Sequence, residues 1–293
     1  MKEFHYEHLL FKDPDSPYIF HRGCLLDKAH SFPAHWHESI EILYFYEGNC
    51  DVVINTKPIH VVPGDIVCVN SEDIHYINTD EPIGYNTLIV SLDFLQKCGI
   101  YNQASLVSHI PDEQEKLTAK LYRFITKENK EKLPYYKRAE KAAVTTLVIH
   151  LFRNYSVNDR TRATVSTNKS NLVKKGLDYI HQHYLENIST LDISNQLGIT
   201  VNHLCACFKD VTGLTIKKYI NGMRCHDAEA MLASGQYTVM EVGTTCGFDN
   251  MAYFAKTYRS IIGINPSETL ARAKEKSNLS KGRLNRIKVI ADK

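Results

Sequence analysis

An imperfect internal repeat in the second half of this 293-residue chain constrains its fold more than any other feature. The segments 191–213 and 239–263 align so that apolar residues and glycines recur at matching positions. Leu204, Phe208 and Gly213 return fifty positions later as Phe254, Tyr258 and Gly263, and Ile193, Leu197 and Gly198 return forty-nine positions later as Val242, Cys246 and Gly247. Each copy therefore predicts a helix, a tight turn and a second helix, with the one-residue difference in the turn.

The turn residues favour helix-turn-helix units over arbitrary helices. Gly198 and Gly247 stand where a helix-ending turn needs a positive φ. Thr200 in the first copy, and either Asp249 or Asn250 in the second, can cap the following helix. In such units the second helix is free to enter a major groove, and two units about one helical turn apart read successive grooves. A helical repeat that binds no DNA is the alternative.

The segment 177–272 resembles the DNA-binding domain of the AraC/XylS family of bacterial transcription regulators. The resemblance is carried by Leu191 to Leu197, Leu204, Phe208-Lys209, Gly213, Tyr219, Arg224, Ala228, Leu232, Gly247-Phe248, Tyr253-Phe254, Gly263 and Pro266-Ser267. Four features depart from the family pattern: Ser194 and Gly243 replace a small Ala, Tyr258-Arg259 replaces Phe-Lys, and Cys225 replaces an aliphatic residue. These changes bear on stability more than on identity.

The outer faces of the two second helices are the expected DNA contacts. The expected DNA-binding residues are Asn202, Cys205, Ala206 and Lys209 in the first unit, and Met251, Ala252, Lys256 and Arg259 in the second. The resemblance implies base readout at Asn202, Cys205 and Ala206, and again at Ala252 and Lys256. Asn202 suits adenine, Lys256 suits guanine and the small residues suit thymine methyl groups, while Lys209 and Arg259 suit phosphates. Few long side chains reach the bases, so phosphate contacts and DNA shape are expected to carry much of the affinity.

The first half of the chain predicts a different fold class. Short Val-, Ile- and Tyr-rich runs separated by turn residues between 18 and 92 predict an all-β barrel or sandwich. A helical hairpin follows at 112–154, with Leu117, Leu121, Phe124 and Ile125 on one face of its first helix and Ala139, Ala142, Ala143, Leu147 and Leu151 in the second, which Pro134 opens. The polar, aperiodic stretch after it reads as a linker.

The expected organisation is therefore two-domain: an N-terminal all-β cupin-like barrel plus helical hairpin, and a C-terminal all-α domain with two helix-turn-helix units. The expected ranges are 1–110 for the sensing domain, 111–154 for a dimerisation hairpin, 155–170 for the linker, 171–276 for the DNA-binding domain and 277–293 for a basic tail. Residues 171–293 carry 16 Lys+Arg against 11 Asp+Glu, which agrees with a polyanion contact in the back half.

The β domain resembles the cupin-type sensor domain common at the N-terminus of this family. His35, His37, Glu41 and Gly48 fit the first cupin motif, Pro63-Gly64-Asp65 opens the second, and His75 falls at its histidine position. Strand alternation would point the odd-numbered residues inward together with Phe45. The expected role of His35, His37, Glu41, Phe45 and His75 is to line a pocket for a small-molecule effector, such as a sugar. No cofactor is expected, and a first-row metal at His35, His37, Glu41 and His75 is the alternative.

The resulting hypothesis is a cytoplasmic, non-enzymatic transcription regulator that binds double-stranded promoter DNA and an effector. A homodimer is expected, together with RNA polymerase as a partner if the protein activates transcription. No membrane association is expected, because no apolar run in the sequence approaches about 18 residues. Two alternatives stay open: a metal-dependent cupin enzyme with secondary DNA binding, and a regulator that responds to no effector.

Overall fold

A computed structural model of the chain describes residues 13, 15–26, 34–100, 104–111, 116–158 and 168–275. The chain divides into two compact units, with their boundary between Lys175 and Gly176. Residues 210–213 belong to the unit that precedes this boundary. We call these the sheet unit and the helical unit. Among the described residues, no helix is both long enough and apolar enough to cross a membrane.

The sheet unit contains two antiparallel sheets, in agreement with the predicted all-β domain. The five-stranded sheet has the order β1 (Tyr18–Leu26), β7 (Ile83–Val90), β2 (Ile40–Glu47), β5 (Ile66–Val69) and β9 (His109–Ile110). The three-stranded sheet has the order β4 (Lys57–Val61), β3 (Cys50–Ile54) and β6 (His75–Asn78), and a separate pair joins β8 (Ala104–Leu106) to β10 (Ser156–Asn158). The arrangement is compatible with the cupin-like barrel expected from the motifs.

Side-chain alternation along β2 gives the five-stranded sheet two apolar faces. Leu43 and Phe45 belong to a core shared with the three-stranded sheet, where Val52 is also fully buried. Ile40 and Ile42 point the other way and pack with the helices of this unit. Because both faces are covered, β2 is buried along most of its length, which fixes its register against β5 and β7.

The helices of the sheet unit are α1 (Leu92–Lys97), α2 (Lys116–Glu131) and α3 (Tyr136–Tyr155). The predicted hairpin forms, since α2 and α3 pack against each other. The expected face of α3 is partly right: Ala143, Leu147 and Leu151 are buried, whereas Ala142 is exposed.

The predicted buried face of α2 was partly wrong. Ile125 is buried as expected, but Leu117 and Phe124 are 42% and 44% exposed. Tyr122 is fully buried instead, and its hydroxyl donates a 2.7 Å hydrogen bond to the carbonyl of Ile42. The face of α2 that is buried is the one that packs against the sheet core. The spacing of apolar residues along the helix alone does not predict that face.

The predicted linker and tail fall largely outside the described residues. Within 155–170, the residues Ser156–Asn158 form β10, and a helix begins at Asn168. Residues 159–167 and the basic tail 277–293 lie outside the part of the chain that the structure describes.

The helical unit contains both predicted helix-turn-helix units. The helices that lie wholly or partly in it are α4 (Asn168–His183), α5 (Thr190–Gln196), α6 (Val201–Thr212), α7 (Ile216–Ala233), α8 (Val239–Thr245) and α9 (Met251–Ile262), followed by a helix over 266–275. The first unit is α5–α6 and the second is α8–α9. Gly198 and Gly247 have φ of 65° and 79° in the two turns, as the sequence predicts.

Matching caps begin the helices of the two units. Ser189 with Asp192 at α5, and Thr238 with Glu241 at α8, form reciprocal capping boxes. Thr200 accepts a 3.3 Å hydrogen bond from the backbone N–H of His203 at the start of α6. At the start of α9 the cap is Asn250, whose side chain accepts a 2.9 Å hydrogen bond from the N–H of Tyr253, so Asn250 rather than Asp249 is the cap.

Arg224 on α7 fixes the turn of the second unit. Its Nη1 donates to the carbonyl of Gly247 at 2.7 Å, while Nε and Nη2 donate to the carbonyls of Tyr184 and Glu186 at 2.6 and 2.7 Å. Three backbone carbonyls at different points of the chain are thereby held by one guanidinium. The connecting helix α7 is in this way tied to the second helix-turn-helix unit.

Candidate functional site

A bridge and a bend bring the predicted cupin residues of the sheet unit together. His35 and His75 form an antiparallel bridge, with backbone N···O distances of 3.1 and 2.9 Å. His37 lies just before the bend that leads into β2, and Glu41 is the second residue of that strand. The expectation that strand alternation alone would align these residues was wrong, because β2 begins only at Ile40.

The four side chains form a compact cluster, which we call the histidine cluster: His35, His37, Glu41 and His75. Their nearest potential ligand atoms all lie within 4.8 Å of one another. His37, Glu41 and His75 are buried, and His35 is partly exposed. Among these four residues, His35 is therefore the one that a molecule larger than an ion could contact from solvent.

The hydrogen bonds of two imidazoles determine which ring nitrogen of each faces Glu41. Nδ1 of His37 lies 2.9 Å from the carbonyl oxygen of Ser39, and Nδ1 of His75 lies 3.0 Å from that of Asp73. A carbonyl only accepts hydrogen bonds, so each Nδ1 carries the proton of its ring. Nε2 of His37 and of His75 then face Oε2 of Glu41, at 3.3 and 3.0 Å. Both Nε2 atoms therefore face the same carboxylate oxygen, which is where a shared cation could be bound.

The carboxyl of Glu41 is held in its ionised form. Burial raises its pKa, but hydrogen bonds from His37 and His75 and their charges outweigh burial and hold the pKa well below the usual range. Its second oxygen, Oε1, accepts a 2.7 Å hydrogen bond from the hydroxyl of Thr87. Sequence reasoning missed Thr87, which lies opposite Leu43 on β7 and so reaches Glu41 diagonally across the strands.

These residues fit a divalent first-row ion. Three imidazoles and one carboxylate form a donor set that such ions accept. The carbonyls of Ser39 and Asp73 fix the ring orientations of two histidines, as the outer contacts of metal-binding histidines do. The cluster is thus suited to hold either a cation or protonated imidazoles around one carboxylate.

Phe45, the fifth predicted effector residue, is not part of the histidine cluster. It is fully buried in the core between the sheets, where its ring centroid lies 5.7 Å from that of Tyr85. Four positions along β2 separate it from Glu41, which corresponds to about 13 Å of strand. Its surroundings are those of a core residue.

The candidate DNA-reading faces belong to the helical unit. Asn202, Cys205, Ala206 and Lys209 are exposed on α6; on α9, Ala252, Lys256 and Arg259 are exposed and Met251 is half-buried. On the opposite face of α6, Leu204 and Phe208 are fully buried, and so are Phe254 and Tyr258 on α9. Both second helices thus expose the face that the repeat predicts.

Two protein families match this chain. The family described as "AraC-like ligand binding domain" matches residues 27–124. The family described as "Helix-turn-helix domain" matches residues 193–272.

Relatives with known names align with most of the chain. The chain is 20% identical to the melibiose operon regulatory protein of Escherichia coli strain K12, over 80% of this chain and 82% of that protein. It is 24% identical to the HTH-type transcriptional activator RhaS of Salmonella schwarzengrund, over 81% and 87% of the two chains.

Solved structures also align with the chain. Fatty-acid-bound ToxT from Vibrio cholerae covers 86% of this chain and 94% of its own, with 15% identity and a TM-score of 0.47. A probable AraC family transcriptional regulator from Rhodopseudomonas palustris covers 35% of this chain and 97% of its own, with 30% identity and a TM-score of 0.34.

Proposed function

Since this chain belongs to the AraC family of transcriptional regulators, we propose that it reads promoter DNA through α6 and α9 and senses a small molecule at the histidine cluster. Regulation of transcription in response to an effector is the function of the whole chain; the assignment of residues to each step is the proposal. The observation that carries it is the pair of helix-turn-helix units, each with a capping box at its first helix and an exposed reading helix.

Base readout is assigned to one long polar side chain in each unit. The amide of Asn202 suits adenine and the ammonium group of Lys256 suits guanine, while small Ala206 and Ala252 allow close approach to thymine methyl groups. Lys209, about two turns after Asn202, and Arg259, about one turn after Lys256, suit phosphates. The first unit has no cation among its base-reading positions, so shape readout is expected to contribute strongly there.

Selection of randomised duplex DNA by the full-length protein tests this assignment. The expected consensus has two elements about 10 base pairs apart. Asn202→Ala is expected to relax preference in one element and Lys256→Ala in the other, each by about 1–3 kcal/mol of discrimination. Asn195→Ala, an exposed change on α5, is the matched control and should leave both elements intact. A consensus unchanged in both reading-helix variants would overturn the assignment.

For the effector, we propose a small hydroxylated molecule that contacts the cluster from the side of His35. The melibiose operon regulatory protein is named for a sugar operon, which supports sugars as the first class to test. Imidazoles and a carboxylate can donate to and accept from hydroxyl groups, and His35 is the accessible member of the cluster.

A thermal-shift screen of the full-length chain against mono- and disaccharides, including melibiose, tests the effector proposal. A saturable rise in melting temperature that His35→Ala removes is the expected result, because a ligand that binds only the folded state stabilises it. If no sugar shifts the wild-type protein, while DNA selection succeeds, the sugar class is wrong and a regulator without such an effector is favoured.

A second candidate role for the cluster is to hold a metal ion. This role is supported by the geometry of His37 and His75, because the Nε2 atoms of both rings face the ionised carboxylate of Glu41. A divalent ion there would supply a Lewis-acidic position for an oxygen atom of the effector. Of the chain's own residues, His35, His37, Glu41 and His75 would hold it, and Thr87 would keep Glu41 oriented through Oε1.

Two measurements test this role. The first is the metal content of protein purified without chelators, and the second is titration with Co²⁺ followed by visible absorption. One equivalent per chain is expected in the wild type and little in His75→Gln or Glu41→Gln. His60→Gln is the control, because His60 is exposed and pairs with Asp51 away from the cluster. Equal cobalt spectra in the wild type and His75→Gln would rule the cluster out as the site.

The remaining partners are proposed from the same family. We propose a cytoplasmic homodimer without catalytic activity, since the relatives are named as regulators. Contact with RNA polymerase is proposed on the ground that one relative is named a transcriptional activator. The exposed Leu117 and Phe124, seven positions apart on one face of α2, are the apolar residues that a second copy would cover.

A further inference from the structure

A polar cluster flanks the second reading helix and is not explained by base contacts. Lys217 and Asn221 lie one turn apart on α7, and Tyr253 and Thr257 lie one turn apart on α9. Nδ2 of Asn221 donates a 2.7 Å hydrogen bond to the hydroxyl oxygen of Tyr253. Nζ of Lys217 lies 5.2 Å from the centroid of the Tyr253 ring.

This cluster is rich in donors and exposed to solvent. The hydroxyl group of Tyr253 accepts from Asn221 and is also hydrogen-bonded to the side chains of Thr257 and Lys217. Lys217 is exposed, and Tyr253 is 39% exposed. Within the described ranges, no carboxylate forms an ion pair with Lys217. An ammonium group, an amide and a phenolic O–H thus meet at one surface point without an anionic partner, which is a combination that suits an anion.

The position of the cluster relative to the reading face indicates which anion it would meet. Tyr253 and Thr257 each follow an exposed reading-face residue, Ala252 and Lys256, and are turned about 100° from it around α9. A helix that lies in the major groove has its bases in front and a phosphate backbone on each side. The flank that carries Tyr253, with α7 beside it, therefore faces one wall of the groove.

We infer that Lys217, Asn221 and Tyr253 form a binding site for a backbone phosphodiester of the DNA that α9 reads. The inference rests on the proposed reading mode of α9. It adds residues of the connecting helix α7 to the DNA interface, beyond the reading-helix positions that the repeat predicts. The site binds by charge and hydrogen bonds and carries no base preference.

The site belongs to the second unit alone among the described residues. The position of Tyr253 in α9 corresponds to His203 in α6, fifty residues earlier. His203 contacts Sγ of Cys207 within its own helix, at 3.8 and 3.9 Å, instead of a lysine and an asparagine on another helix. The second helix-turn-helix unit thus has this additional contact to the DNA backbone. The first unit depends on Lys209 for its phosphate contact.

The salt dependence of DNA binding by the full-length protein tests the inference. The probe is a labelled duplex of mixed sequence, because phosphate contacts act on any sequence. The variants are Lys217→Gln, Lys217→Arg and Tyr253→Phe. Lys57→Gln removes one exposed charge from β4 in the sheet unit and is the matched control.

Lys217→Gln should lower the slope of log Kd against log salt by about 1, because one phosphate contact is lost. Lys217→Arg and Lys57→Gln should keep the wild-type slope. Tyr253→Phe should weaken binding about threefold to tenfold at one salt concentration with little change in slope, because it removes an uncharged donor.

Two outcomes separate failure of this inference from failure of the proposed function. If the wild type binds the duplex but Lys217→Gln has the same slope as Lys57→Gln, the cluster is only a contact between α7 and α9 and the inference is overturned. Lower melting temperatures with unchanged slopes would indicate that same structural role. If the wild type binds no duplex at any salt concentration, the proposed DNA-reading function is overturned, and this inference with it.

Discussion

Nε2 of His75 lies 3.0 Å from Oε2 of Glu41, although 34 positions separate the two residues in the sequence. Glu41 stands near the start of β2 in the five-stranded sheet, and His75 opens β6 in the three-stranded sheet. Their contact joins the two sheets at one end of the shared core. The same carboxylate accepts from His37 and Thr87, so Glu41 is the centre of the buried polar network.

Removal of the Glu41 charge is expected to destabilise the sheet unit. In Glu41→Gln the imidazoles of His37 and His75 lose the carboxylate that balances them, and breaking such a buried pair costs about 3–5 kcal/mol. Urea denaturation of the metal-free protein measures the change. Glu38→Gln, an exposed neighbour, is the control and should stay within about 0.5 kcal/mol of wild type. If Glu41→Gln lowered the free energy of unfolding by less than about 1 kcal/mol, the carboxylate would not be a stabilising partner of the two imidazoles.

Gly243 is expected to be required by close packing between α8 and α9. A Cβ at this position would lie 2.8 Å from Sδ of Met251 and 2.9 Å from Cδ1 of Phe254. Gly243→Ala should therefore destabilise the helical unit by about 1–3 kcal/mol despite the better helix propensity of Ala. At Gly222 on α7, a Cβ meets no atom within 4 Å. Gly222→Ala should stabilise by about 0.5–1 kcal/mol, and equal effects of the two changes would refute the packing argument.

The capping boxes predict a loss of stability of the helical unit in acid. Hydrogen bonds from the side chain and backbone of Ser189 lower the pKa of Asp192, and those from the backbone and side chain of Thr238 lower that of Glu241. A lowered folded-state pKa means that the folded unit binds fewer protons than the unfolded one. The contribution is complete above the ordinary carboxyl pKa of about 4 and is lost as pH falls through the folded-state values.

We would compare the melting temperatures of the wild type and of a double variant, Asp192→Asn with Glu241→Gln, between about pH 6 and pH 3. The wild type should be the more stable protein at the upper end, and the difference should shrink as the pH falls. Glu275→Gln changes an exposed carboxylate outside the caps and serves as the control. A difference that is constant with pH would exclude the charged caps as its origin.

If the exposed face of α2 forms the dimer interface, a charged residue introduced there should weaken self-association. Phe124→Lys should shift a dimer toward monomer, because burial of an ammonium group without a partner in an apolar interface is costly. Leu117→Lys should act in the same direction. Sedimentation velocity of the full-length protein measures the distribution. Leu25 on β1 is 74% exposed, so Leu25→Lys is the matched control. A dimer that tolerates both α2 changes would place its interface elsewhere.

The sequence alone determined the features that follow local rules. The repeat predicts α5–α6 and α8–α9, because glycines with positive φ, capping residues and helical periodicity act within a few residues of one another. Gly198, Gly247 and Thr200 have the predicted roles. The motif positions of His35, His37, Glu41 and His75 also identify a cluster that the structure brings together.

Only the tertiary structure decided which faces are buried and which atoms face each other. Leu117 and Phe124 have the right spacing for a buried face, yet the sheet core selects Tyr122 and Ile125 instead. Thr87 reaches Glu41, and Asn221 reaches Tyr253, through strand register and helix packing over 46 and 32 positions. Such contacts depend on how distant segments pack, and a single sequence carries no local signal of that packing.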